Sequence, residues 1–198
     1  MGLTEGRHWG SPNAVPTMLM YMIWRLSHAP ANRHEDEVRQ DALASLLLGM
    51  AVVEAFSNAY GHVVADEIGG APGQALRKVV KRGGPTDPKI EALFEHGFNQ
   101  AALNKTDPRW MEYVKLRKLR NHFVHFGTTH ESIDIPGVGT LRGMADLKEL
   151  SQLTAQTPKW ALITIRSLVE FVGEGRGMTK AQASALAHNY LGIPVPSV

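Results

Sequence analysis

Three polar side chains within one short segment near residue 120 are of the types needed for chemistry on a phosphodiester. Arg120 is followed directly by Asn121, and four residues separate Arg120 from His125. An imidazole titrates near neutral pH, so His125 can act as a general acid or base. A guanidinium keeps its charge and donates paired hydrogen bonds to phosphate oxygens. RNA cleavage without a metal needs a base for the 2′-OH, an acid for the leaving oxygen and a fixed cation. Arg120 and His125 supply these functions.

The spacing of Arg120 and His125 sets a geometric condition. Residues five apart lie about 140° apart around a regular helix, so the two side chains diverge. They converge if the helix ends near Phe126 and Gly127, because glycine commonly terminates helices. They also converge if a second copy of the chain supplies the missing group. We therefore predict a homodimer in which two copies of the Arg120–His125 segment face one cleft.

Further polar residues accompany these three. His122 lies within the same segment, and Lys115, Arg117 and Lys118 precede it. The basic side chains are candidate nucleic-acid contacts, since lysine and arginine neutralise phosphates. The alternative is a solvated helix face. On the longest predicted helix, Glu54 and Asn58 are four residues apart and therefore share a face.

The segment 120–125 resembles the signature of HEPN domains, in which an arginine precedes a histidine by four to six residues and a polar residue usually follows the arginine. The resemblance covers mainly residues 36–126, with 145–172 as a closing helix. It implies an all-helical bundle and, in active members, a metal-independent ribonuclease whose two protomers share a cleft. It also implies that Asn121 orients the phosphate or His125, and that Glu54 pairs with Arg120. The arm before Ala14, the insert Ile133–Arg142 and the tail after Gly173 depart from the family pattern.

Length and composition narrow the class of protein. The chain has 198 residues, which predicts one domain over 1–198, with a loose arm at 1–13 and a helical extension at 174–198. It has no cysteine, which excludes disulfides and thiolate metal sites and favours a cytoplasmic location. No histidine or carboxylate spacing indicates a metal site, so we expect no metal and no cofactor. No apolar run approaches the roughly 20 residues that span a bilayer, so we expect no membrane association.

Helical periodicity predicts an all-α fold, an antiparallel helical bundle with additional short helices and one small hairpin or ordered loop near Ile133–Leu141. Asp87, Asp107 and Thr179 are predicted to start helices, with Asp87 as an N-cap. The predicted helices cover residues 14–28, 35–68, 74–81, 87–103, 107–125, 145–153, 157–172 and 180–191.

Three functions remain open on the sequence. The first is a HEPN-type endoribonuclease, a toxin or defence component whose partners are RNA and an antitoxin protein. The second is a non-catalytic HEPN-like module that binds nucleotide, RNA or a protein partner. The third is an α-helical structural protein. RNA cleavage that depends on His125 would distinguish the first from the other two.

Overall fold

The structure is a computed structural model that describes residues 14–30, 32–81, 84–98, 102–124, 132–135, 139–142 and 151–192. For 132–135 and 139–142 only the backbone is described. The predicted arm at 1–13, His125 and most of the helix predicted over 145–153 therefore lie outside the described residues.

The described part of the chain is helical apart from one pair of short strands, which confirms the all-α class. Its seven α-helices are α1 (Ala14–Ser27), α2 (Glu35–Ile68), α3 (Gly70–Lys81), α4 (Thr86–Ala92), α5 (Pro108–Val124), α6 (Thr157–Gly175) and α7 (Lys180–Leu191). A π-helical turn, Leu93–Gly97, continues α4. The strands β1 (Ser132–Ile135) and β2 (Gly139–Arg142) pair antiparallel, with Ile133 opposite Leu141.

Helix α2 forms the centre of the core. Its start is fixed by a capping box, in which His34 accepts from the amide of Asp36 and Glu37 accepts from the amide of His34. Its end is set by Gly69, whose φ of 59° lies in the left-handed region that glycine adopts readily. Helices α1, α3, α4, α5 and α6 all pack against it. Its largest fully buried side chains are Leu46, Phe56 and Tyr60.

One window of 18 residues within α2 has a mean hydropathy of 1.6, and half of that window is buried inside the fold. A helix of this length and composition is able to cross a bilayer, and the buried core helix of a globular protein meets the same criteria. The helices packed around α2 account for the buried half.

The region of α4 differs from the prediction. The helix starts at Thr86 and its N-cap is Pro85, without a side-chain hydrogen bond, so the prediction of Asp87 as an N-cap is wrong. The Asp87 carboxylate instead accepts hydrogen bonds from α5. The helical segment ends at Gly97 rather than at residue 103, and within its π-helical turn Phe94 is buried against Phe171 of α6, with ring centroids 5.3 Å apart.

Helix α5 begins as predicted. The Asp107 carboxylate accepts from the backbone amide of Arg109 at 2.8 Å and so caps the first turn. Arg109 also donates to Glu174 at the end of α6, which ties α5 to that helix. Its side-chain hydrogen bond to Asp107 lowers the pKa of that carboxyl below the ordinary value. Tyr113 and Leu116, both buried, pack the part of α5 that precedes Arg120 against the core.

Candidate functional site

The last two turns of α5 hold the described part of the sequence motif. Arg120, Asn121 and His122 are all half-buried, and Arg120 Nη1 donates to Asn121 Oδ1 at 2.9 Å. The His122 ring lies edge-on to Phe123, with centroids 5.4 Å apart. The structure therefore brings Arg120 and Asn121 into direct contact. His125 follows Val124, the last residue of α5, and is not among the described residues.

Arg120 differs from the other half-buried arginines in the described ranges, because it has no carboxylate partner. Each of the others forms an ion pair, the pairs being Arg33–Asp41, Arg39–Glu35, Arg109–Asp107, Arg117–Asp87, Arg166–Glu170 and Arg176–Glu67. Among the described residues Arg120 donates only to the neutral amide of Asn121, and its Nε is shielded from solvent without an acceptor there. A half-buried cation whose described partner is neutral favours binding of an anion.

Glu54 and Asn58 share one face of α2, as predicted, but the basic residue beside them is Lys89. Lys89 Nζ lies 3.6 Å from a Glu54 carboxylate oxygen and donates to Asn58 Oδ1 at 2.9 Å. Since α4 packs against this part of α2, the ion-pair partner of Glu54 is Lys89 and not Arg120.

Lys89 was not expected to be buried, yet only 4% of its side chain is exposed. A sequence signal does exist in retrospect. Asn58, which is half-buried, interrupts a largely apolar stretch of α2, and polar groups removed from water require polar partners. Lys89 adjoins Ile90 in α4, but the short helix gave no periodicity from which to infer that both side chains face inward.

The three predicted nucleic-acid contacts differ in their surroundings. Lys115 is exposed and pairs with Glu112, a surface pair that a phosphate can exchange at little cost. Arg117 is bound by Asp87 of α4. Lys118 is exposed and has no ion pair among the described residues, which leaves it available to a phosphate.

Asp87 connects α4 to the motif helix. It accepts from the Tyr113 hydroxyl at 2.7 Å and from Arg117 Nη1, and only 15% of its side chain is exposed. Burial raises the pKa of Tyr113 above its ordinary value, so the phenol remains a hydrogen-bond donor at neutral pH. Sequence reasoning missed this contact because an Asp-Pro pair ordinarily indicates a helix start.

The metal-site expectation can be examined only within the described ranges, where no three histidine, aspartate or glutamate side chains are grouped. The chain matches no protein-family model, no curated protein and no solved structure. The HEPN resemblance therefore rests on the motif and on the order of helices.

Proposed function

We propose that the protein is a HEPN-type, metal-independent endoribonuclease. The observation that carries this proposal is the half-buried Arg120, which lacks a carboxylate partner among the described residues and contacts Asn121 at the end of α5. His125 follows directly after this helix in the sequence. A fixed cation and an acid–base group are the components that in-line RNA cleavage requires, and Arg120 and His125 are close together in the sequence.

In the proposed reaction, His125 of one protomer takes the proton of the ribose 2′-OH, and the 2′-oxygen attacks phosphorus. The bond from phosphorus to the 5′-oxygen breaks, and His125 of the partner protomer gives that oxygen a proton. The products are a 2′,3′-cyclic phosphate and a 5′-hydroxyl. Arg120 binds the non-bridging oxygens, on which charge accumulates in the phosphorane.

Asn121 has a defined part in this scheme. Its Oδ1 accepts from Arg120, so its amide nitrogen remains to donate to a phosphate oxygen. Asn121 would thereby orient both the guanidinium and the phosphate. His122, which lies against Phe123, has a supporting position in the same turn. A toxin or defence role, with RNA as substrate and an antitoxin protein as partner, fits this chemistry.

The second candidate is a non-catalytic HEPN-like module that binds RNA or nucleotide. The observation that favours it is the availability of Arg120 and exposed Lys118, both of which can bind phosphate without acid–base chemistry. Under this alternative His125 takes no part in catalysis.

The test is a cleavage assay in EDTA with a labelled RNA, a DNA of the same sequence and an RNA carrying one 2′-deoxy substitution. We expect cleavage of RNA only, cyclic-phosphate ends and no cut beside the deoxy position, because the 2′-OH is the nucleophile. His125→Ala should lower the rate on the order of a hundred- to ten-thousandfold. Arg120→Lys should not restore activity, since a point charge replaces the bidentate fork.

The matched control is His188→Ala, which removes an exposed histidine in the last turn of α7. It should cleave at the wild-type rate. Cleavage of DNA, or full activity of His125→Ala, would reject the ribonuclease and favour the binding module.

A further inference from the structure

Arg120 shares one face of α5 with two residues that precede it in the sequence. Tyr113, Arg117 and Arg120 are spaced four and then three residues apart, which places them within an arc of about 60° around the helix. Arg117 therefore lies one turn before Arg120 on the same side. Asp87, which binds both Tyr113 and Arg117, belongs to α4 and contacts this face from a separate helix.

The two arginines share an uncommon feature. The Nε atoms of Arg117 and Arg120 are the only side-chain nitrogen or oxygen atoms in the described ranges that are both buried and without a hydrogen-bond partner. Unsatisfied buried donors are rare in folded proteins and often mark functional sites. Here both occur on one turn of one helix.

The charges on this face do not balance. Arg117 and Arg120 are two cations, Asp87 is one carboxylate, and Tyr113 is neutral. One positive charge thus remains without a counter-charge among the described residues of the cluster. Among the described residues Arg117 donates from Nη1 to Asp87, so within this part of the chain its Nη2 remains available to another acceptor.

We propose that Arg117 is a second phosphate-binding guanidinium, which binds an RNA phosphate next to the one held by Arg120, and that Asp87 and Tyr113 are positioning residues that hold Arg117 in place. This inference rests on the proposed function, because it assumes that the motif face of α5 binds RNA. Asp87 acts through Arg117, and Tyr113 acts through Asp87. Neither touches the phosphate.

The direction in which Asp87→Asn changes the affinity for RNA distinguishes a positioning role of Asp87 from simple charge neutralisation. Asp87→Asn removes a negative charge beside the phosphate site. If Asp87 only neutralised Arg117, its loss would tighten RNA binding, since repulsion between the carboxylate and the phosphate would disappear. If Asp87 positions Arg117, binding weakens, because the guanidinium loses its anchor. Tyr113→Phe leaves every charge in place, so any weakening it causes reflects positioning.

The experiment measures binding of a 2′-O-methyl oligonucleotide, which has no free 2′-OH and cannot be cleaved, by fluorescence anisotropy over a range of salt concentrations. Arg117→Ala should weaken binding on the order of tenfold, the effect of one lost hydrogen bond to a charged group. It should also reduce the slope of log Kd against log salt by about one, as one lost phosphate contact does.

Asp87→Asn should likewise weaken binding, and Tyr113→Phe should weaken it to a smaller extent. The control Lys105→Ala removes an exposed cation that pairs with Glu91 outside this face, and should leave the affinity within about twofold of wild type. Unchanged affinity in Arg117→Ala, tighter binding in Asp87→Asn or no binding by the wild type would overturn the inference. Melting curves should confirm that each variant is folded, and if Asp87→Asn is not, Tyr113→Phe decides the positioning role.

Cleavage assays keep this inference separate from the proposed function. If the wild type cleaves RNA, Arg117→Ala should raise KM with little change in kcat, whereas Arg120→Ala should lower kcat. If the wild type does not cleave RNA but the binding pattern holds, the ribonuclease proposal fails and the second phosphate contact stands. If RNA is cleaved and Arg117→Ala binds as wild type, the ribonuclease stands and this inference fails.

Discussion

Arg120 and Arg109 lie on the same helix and have opposite electrostatic surroundings. Arg109 is bound by Asp107 and Glu174, which compensate for the partial burial of its charge. Within the described part of the chain Arg120 has only the amide of Asn121 as a partner, so no carboxylate there compensates for its partial burial. Residues kept for ligand binding commonly reduce the stability of the free protein. The two arginines should therefore respond differently to removal of their charge.

We predict that Arg120→Met leaves the free energy of unfolding unchanged within about 0.5 kcal/mol or raises it, because the apolar stem is retained and an unpaired charge is removed. Arg109→Met should lower it by about 1–3 kcal/mol, because two carboxylates lose their partner. Urea denaturation at neutral pH measures both values. If Arg120→Met proved as destabilising as Arg109→Met, Arg120 would be a structural residue.

The sequence predicted the motif residues but not their partners. Arg120 and Asn121 are adjacent, so their contact follows from local geometry. Asp87 and Tyr113 are 26 residues apart, and Glu54 and Lys89 are 35 positions apart. Contacts between separate helices depend on how these helices pack, which the periodicity of one helix does not specify.

The helix boundaries also separate local features, which the sequence predicts, from features that depend on packing between helices, which it does not. The predicted bounds of α2 and α7 agree with the structure, because glycine and capping boxes act within a few residues. Thr179 caps α7 through the amide of Gln182, as its position predicted. The π-helical turn after α4 was not predicted, because it serves to bury Phe94 against a distant helix.

Helix α3 also depends on a contact that sequence alone does not indicate. It was predicted to start at Gln74 but starts at Gly70. A Cβ atom on Gly73 would lie 2.5 Å from the carbonyl oxygen of Ala65, so α3 approaches α2 more closely than a side chain at this position would permit. The glycine is therefore required by packing between α2 and α3.

We predict that Gly73→Ala destabilises the protein by about 1–3 kcal/mol, the usual cost of overpacking, because the opposing atom belongs to the backbone of a buried residue and cannot move aside. The matched control is Gly84→Ala, where an added Cβ has no atom within 4 Å. It should change the free energy of unfolding by less than about 0.5 kcal/mol. Thermal or urea denaturation of both variants provides the comparison, and similar stability of the two would contradict the packing argument.

At the scale of the whole molecule, the proposed chemistry depends on the arrangement of two chains. The described fold anchors the start of α5 to α6 through Arg109 and Glu174, and this leaves Arg120 at the far end of the helix. One regular helix cannot direct Arg120 and His125 to the same point. A twofold axis resolves this, because the two motif segments then face one cleft that contains Arg120 and His125 of both protomers.

This arrangement predicts that one defective protomer inactivates the whole dimer. His125→Ala should lack cleavage activity, and after it is mixed with an equal amount of wild type and subunits exchange, a mixed dimer has one histidine where the reaction needs a base and an acid. Random exchange leaves about a quarter of the dimers with two wild-type protomers, so the mixture should have about a quarter of the activity of the same total amount of wild type, instead of the half expected without exchange. Sedimentation should show twice the monomer mass at micromolar concentration. A mixture that keeps half of the activity after subunit exchange would contradict the requirement for both histidines, and a strict monomer that cleaves RNA would remove the shared cleft altogether.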